Sequence, residues 1–257
     1  MHVEKWYLDC VTADGAGMIG YAARIGVGPL SVRCVETLRW RAGDQAAQHR
    51  LALGGKLPRE TADGIVWHCR AVYAEGQWWR RQAGMATMTL YEEPAGRIAW
   101  TCLCPAAHAT VRIGGDVWLG SGYAERLTLT LPVARLPFRE LRWGRFIADT
   151  QSCLWIEWPG AAARRWFFHN GSLVDATAPD RHERAWNGHR LRLDQGTTLR
   201  TGCVLDTAFK EAGRFRWLLP SAVRGIEETK WCSAGVLTDK QGREHTGWAI
   251  HEVAHFP

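Results

Sequence analysis

Residues 31–40, SVRCVETLRW, set Val32, Cys34, Glu36, Leu38 and Trp40 against Ser31, Arg33, Val35, Thr37 and Arg39. A period of two fits a pleated strand, whose successive side chains take opposite faces, and excludes a helical stripe. The same signature recurs in GIVWHCRAVY, MATMTLY, RIAWTCLC, ATVRI, ERLTLTL, SCLWIEW and RRWFFH, all rich in β-branched or aromatic residues and divided by Gly, Pro, Asp or Asn. Many short strands with turn residues between them predict an antiparallel barrel or sandwich. Helices are expected only at residues 44–55, with Asp44 as N-cap and Gly54 beyond the end, and at residues 179–188, with Pro179 early and Gly188 as the stop. Residues 206–226 read equally as a short helix or a strand pair.

The two halves echo each other. Trp6 opens WYLDCVTADG and Trp143 opens WGRFIADTQS, each a strand running toward an Asp-containing turn, and GSGYAERL has a looser counterpart in TGWAIHEVAHF. The pattern predicts two similar β-units, residues 1–134 and 135–257, meeting near Pro132 and Pro137. A chain of 257 residues is long enough to give each unit its own core. Fifteen Trp residues suit a protein that lines a pocket or fills wide cores with rings.

Several function classes are disfavoured. Glu4, Lys5, Asp9 and Asp14 interrupt the N-terminus and no window reaches membrane-spanning length, so the expectation is a cytoplasmic protein without an integral membrane segment, or one whose export signal has been removed. The net charge of +6 is spread over single and paired Arg residues rather than gathered into a phosphate-tracking stripe, and nucleic-acid binding is not expected. Eight Cys stand singly except for Cys102 and Cys104, and they read as reduced, buried thiols. Neither a metal nor a cofactor is expected.

Two motifs point to chemistry that their context denies. DGAGMIG has dinucleotide-type glycine spacing, but YAARIGVGPLSV follows it and cannot supply the helix on which a pyrophosphate rests, so Asp14-Gly15 reads as a hairpin turn. His251, Glu252 and His255 spell HExxH, which binds zinc only from a helix. On a strand the two imidazoles stand roughly 13 Å apart, and GWAIHEVAHF reads as a strand.

What survives is residues 118–146, WLGSGYAERLTLTLPVARLPFRELRWGRF. The run Gly120-Ser-Gly122-Tyr123-Ala-Glu125, then Leu136-Pro137-Phe138, then Trp143-Gly144-Arg145, resembles the GxGYxD...PL...W-x-R pattern of the carotenoid 1,2-hydratase (hydroxyneurosporene synthase) and AttH-like family, over residues 97–149. The resemblance implies an all-β fold of two lipocalin-like (calycin-type) antiparallel barrel units in tandem, with few short helices, acting on or binding a large apolar molecule. Glu125 stands where the family has Asp, and the Asn that follows in the hydratases is absent. That departure bears on the specific hydratase activity and leaves the apolar pocket in place.

Residue chemistry is compatible with this. Hydrating or cyclising an alkene starts with protonation by a carboxylic acid that an apolar surround keeps protonated, and continues through a cation held by aromatic faces. Tyr123 and Glu125 share a strand face as candidate catalytic groups, with Trp100, Trp118 and Trp143 as ligand-binding neighbours and Arg145 and Asp149 as a polar set on one face. The competing reading pairs Glu125 with Arg145 as a structural ion pair. The expected partner is an apolar isoprenoid, polyene or polyketide, either transformed without a cofactor by hydration, cyclisation or isomerisation, or simply carried.

Overall fold

The computed structural model describes residues 2–178, 180–204 and 225–257, with the backbone alone at Val27. The first sheet contains β1 (His2–Val11), β2 (Gly17–Val27), β3 (Leu30–Trp40), β4 (Gln48–Leu53), β5 (Arg59–Thr61), β6 (Gly64–Cys69), β7 (Ala74–Arg80), β8 (Met88–Glu93), β9 (Gly96–Ile113) and β10 (Asp116–Leu129). The second contains β11 (Glu140–Ala148), β12 (Ser152–Trp158), β13 (Arg164–His169), β14 (Ser172–Val174), β15 (Glu183–Trp186), β16 (His189–Leu193), β17 (Thr197–Cys203), β18 (Glu227–Thr238) and β19 (Glu244–His255). Among the described residues no helix is long and apolar enough to cross a membrane.

The strand orders are β4-β3-β2-β1-β10-β9-β7-β6-β5 and β14-β13-β12-β11-β19-β18-β16-β15, with β8 beside β9 and β17 beside β18. In each sheet the opening strand lies between its successor and the closing strand, so a meander curls back on itself and one topology occurs twice. Equivalent registers align the glutamates of the two halves: Tyr7 faces Glu125 across β1 and β10, and Trp143 faces Glu252 across β11 and β19.

Alternation along the central strands sends side chains to two different cores. In β1, Trp6, Leu8 and Cys10 enter the interior of the first unit with Trp67, Trp78 and Val111. Phe146, Trp155, Phe167 and Leu237 fill the second. The opposite faces meet each other: Tyr7, Ile19, Leu38 and Trp100 pack with Trp143, Leu154, Phe168 and Ile250 in one cluster drawn from both sheets. Each large side chain withdrawn from water there contributes roughly 2 kcal/mol. Six of the eight Cys are buried.

Both expected helices are strands. Residues 48–53 form β4 against β3, with Leu53 opposite Cys34, and Asp44 closes a turn by accepting from the Arg41 amide at 2.8 Å. An edge of the sheet offered hydrogen bonds that outweigh the modest helix preference of Gln-Ala-Ala-Gln. In residues 179–188, Asn187 and Gly188 both have positive φ, 43° and 77°, so the pair makes a hairpin between β15 and β16 rather than a helix stop. The alternatives for residues 206–226 fall, up to residue 224, outside the described residues.

Residues 96–113, read from sequence as two strands around a proline, are one strand. Its register with β10 shifts between Gly122 and Ala124 and again between Ala124 and Glu125, so β9 carries extra residues around Pro105. A proline without an amide is tolerated where the ladder is broken. The released carbonyls are used by the segment that crosses β9: Arg81 N donates to Ala106 O and Met85 N to Cys102 O, both at 2.8 Å.

Candidate functional site

Opposite the bulge in β9, the middle of β10 presents Tyr123 and Glu125 toward the second unit. Three donors converge on one oxygen of the Glu125 carboxyl: Trp100 Nε1 and Tyr123 Oη at 2.6 Å, and Trp143 Nε1 at 3.1 Å. They come from β9, β10 and β11, so the acid is held by both units. Among the described residues Oε1 takes no hydrogen bond, and Glu125 stays partly open to solvent beside fully buried Tyr123. Burial pushes the Glu125 carboxyl above the usual carboxylate range; the bonds from Trp100 and Tyr123, the Lys5 charge and the bond from Trp143 pull the other way without overcoming it.

Aromatic faces surround this carboxyl. Tyr7 lies 4.8 Å from Trp143 and 5.9 Å from Tyr123 between ring centroids, Tyr123 lies 5.7 Å from Trp143, and Tyr21 closes on Tyr7 at 5.4 Å. Such tilted and edge contacts suit the ring quadrupoles.

Arg145 does not pair with Glu125. It is fully buried and bonds bidentately to Asp9, at 2.9 Å from Nε and 2.7 Å from Nη2, while Nη1 donates to the Trp248 carbonyl at 2.6 Å. Burial works against the guanidinium charge, but the neighbouring Asp9 carboxylate more than offsets it and the Arg145 pKa rises. Tyr7 Oη also donates to Asp9, at 3.0 Å. This pair ties β1 to β11 across the interface.

A second charged group lies behind the rings. Lys230 is fully buried, ion-paired with Glu228 at 3.5 Å and with Glu252, and its ammonium stands 5.8–5.9 Å from the centroids of Tyr7, Tyr21 and Trp143. Burial lowers its pKa to about 8, while Glu228 resists. Arg200 joins Glu228 and Glu36 at 2.8 Å, another bridge between the units.

The structure thus gathers Glu125, Tyr123, Trp100 and Trp143 into one constellation, and separates the other sequence candidates from it. Trp118 points into the interior of the first unit, and among the described residues its buried indole N–H has no partner. Asp149 lies exposed in the turn after β11, so it forms no polar set with buried Arg145. Sequence reading missed Tyr7, Asp9, Tyr21 and Lys230. The signal for Asp9 was there: a lone acid in the apolar run WYLDCV needs a buried partner.

Two open surface recesses of about 470 and 350 Å³ occur, the first bordered by Arg80, Thr87, Thr101 and Arg126, the second by Asp14, Arg41, Asp116 and Trp118. Neither is lined by Tyr123 or Glu125, although Cys102 on the first packs against Tyr123. Among the described residues no three His, Cys, Asp or Glu side chains converge as a metal site. The HExxH residues lie on β19, where His251 is buried, bonded to Ser233 Oγ at 3.0 Å and stacked on Trp231, while His255 is exposed.

No protein-family model and no curated protein matches the sequence. Solved structures do share its fold. A putative AttH from Nitrosomonas europaea superposes with a TM-score of 0.60 at 11% identity, covering 98% of this chain and 92% of that one. CghA gives 0.59 at 14% identity, covering 99% and 88%. Kievitone hydratase from Nectria haematococca gives 0.55 at 10% identity, covering 98% and 88%. The architecture is therefore the tandem lipocalin-like fold of AttH-like proteins.

Proposed function

We propose, from the tandem lipocalin-like fold and the setting of Glu125, that the protein binds an apolar small molecule between its two units and transforms it by proton-initiated, cofactor-free hydration, cyclisation or isomerisation. The observation that carries this reading is the division of labour within one carboxyl group. Oε2 accepts from Trp100, Tyr123 and Trp143, so the proton that burial favours resides on Oε1, which among the described residues accepts no hydrogen bond. Kievitone hydratase, named for a hydration, has a similar fold, which is consistent with the reading.

In this mechanism the alkene π-electrons take the Oε1 proton, one carbon gains a C–H bond, and its neighbour becomes cationic. The faces of Trp143, Tyr7 and Trp100 stabilise that cation, and the three donors stabilise the carboxylate left behind. Water adds to the cation and returns its surplus proton to Glu125 in a hydration; in an isomerisation the carbon beside the cation loses a proton to Glu125, and in a cyclisation an internal alkene first closes the ring and the new cation then loses its neighbouring proton to Glu125. In either case the acid is regenerated.

The test is incubation with prenylated and polyene compounds, with mass spectrometry for products one water heavier or of equal mass. Glu125→Gln keeps an acceptor for the three donors but holds no transferable proton; it is expected to bind as wild type and to lose at least 100-fold in turnover. Unchanged turnover removes Glu125 as the acid. Binding without conversion by both forms makes the protein a carrier.

A further inference from the structure

The sheet face that carries Glu125 continues beyond it in rows that the strand registers define. Tyr123, Asp9, Ile19 and Leu38 stand side by side; the next row is Glu125, Tyr7, Tyr21 and Glu36; then come Leu127, Lys5, Ala23, Cys34 and Leu53; then Leu129, Val3, Ile25 and Val32. The first row is buried against the second unit. In the third and fourth rows the cover thins: Leu127, Ala23, Cys34, Leu129, Val3 and Ile25 are partly exposed, and Leu53 and Val32 reach 48% and 54%. An apolar slope therefore leads from solvent down to Glu125, which is itself partly exposed.

One charge interrupts that slope. Lys5 is the only ionisable side chain among the residues just named in the third and fourth rows apart from the Cys34 thiol, and its ammonium stands 4.9 Å from the centroid of Tyr21. Among the described residues it has neither an ion pair nor a hydrogen bond, unlike Arg24, which joins Glu4 at 2.6 Å on the opposite face. It is close enough to Glu125 for its charge to act on that carboxyl. A lone ammonium on an aromatic face, beside the Glu125 carboxyl and above an apolar floor, has the donors to take an oxyanion whose carbon skeleton lies on the slope.

We propose that Lys5 anchors the substrate, and that the substrate is an elongated apolar molecule with an anionic oxygen, a carboxylate, enolate or phenolate, at the end near Glu125. This rests on the reading of Glu125 as the working acid at an apolar site. Lys5 is a binding residue that fixes which carbon of the chain meets the Glu125 proton.

The test compares cis-parinarate with its methyl ester, the same polyene with and without a negative charge, by energy transfer from tryptophan in the full chain. The acid is expected to bind ~10-fold more tightly than the ester, the scale of one hydrogen bond to a charged group. Lys5→Met brings the acid to the affinity of the ester and leaves the ester unchanged, and Lys5→Arg keeps the preference. Lys240→Met, in the exposed turn between β18 and β19, removes the same net charge and also keeps it. Equal binding of acid and ester by the wild type, or a preference that survives Lys5→Met, overturns the role of Lys5 and leaves the apolar site standing. Binding of neither probe overturns both.

Discussion

Glu125 is held from three strands through a single oxygen, which makes its surroundings sensitive to one atom at a time. Trp143→Phe removes one donor, and with it one of the influences that favour the carboxylate. It is expected to cost about 1 kcal/mol of stability and to raise the Glu125 pKa further, readable as an upward shift in the basic limb of the pH–rate profile. Arg145 is different in kind, because its removal strands the Asp9 charge in the interface. Arg145→Met is expected to destabilise by about 3–5 kcal/mol in urea unfolding, and Asp9→Asn in the same chain to restore part of it. His251 gives a pH signature: burial first, then the positive charges of Arg184, His182, Arg181 and Lys230, lowers its pKa from 6.5 to about 3. Between those values the unfolded chain takes up a proton that the native imidazole refuses. Its contribution is therefore fully present above pH 6.5 and is lost as pH falls toward 3, at up to about 1.4 kcal/mol per pH unit. His251→Asn is expected to flatten that limb of the stability curve by about one proton; an unchanged slope excludes it.

At the level of elements, turns and glycines set where strands stop and how closely they approach. Asn187-Gly188 and Asn170-Gly171 are hairpin turns with both residues at positive φ. Gly144, inside the Trp-Gly-Arg run, faces the interior of the second unit, where a Cβ would strike the Trp155 ring and come within 2.8 Å of the His251 Cβ. Gly144→Ala is expected to cost roughly 1–3 kcal/mol, measured by thermal or urea unfolding. Gly26→Ala is the control: nothing approaches its Cβ closer than 3.7 Å, and a change within about 0.5 kcal/mol is expected. The bulged pairing of β9 with β10 has the larger consequence. It breaks the ladder where Tyr123 and Glu125 project, and it admits Pro105 to a central strand.

The whole molecule is two copies of one topology pressed face to face, with the candidate site in the seam. Neither copy buries its seam face alone: Tyr7, Leu38 and Trp100 on one side, and Trp143, Leu154 and Ile250 on the other, form one cluster. The Asp9–Arg145 and Glu36–Arg200 pairs cross the same seam. Urea unfolding is accordingly expected to show a single transition with coincident far-UV dichroism and tryptophan fluorescence. Two resolved transitions indicate units that fold independently.

Local sequence carried much of this. Period-two alternation specified strands because the pleat itself has that period, and the Gly-x-Gly-Tyr-x-Glu to Trp-Gly-Arg run contained both Glu125 and one of its distant donors. The failures were also local in origin: Asp44 and Asn187-Gly188 serve helix ends and tight turns alike, and only the available strand partner decides between them. The partner of Arg145 was beyond sequence reading altogether. Asp9 lies 136 residues away and Glu125 only 20, yet the ion pair formed with the distant residue. Alternation states that a side chain faces one side of a sheet, whereas what waits on that side depends on how two sheets pack. In this chain the packing of two similar faces placed a buried ion pair, an aromatic cluster and one partly open acid in the same seam.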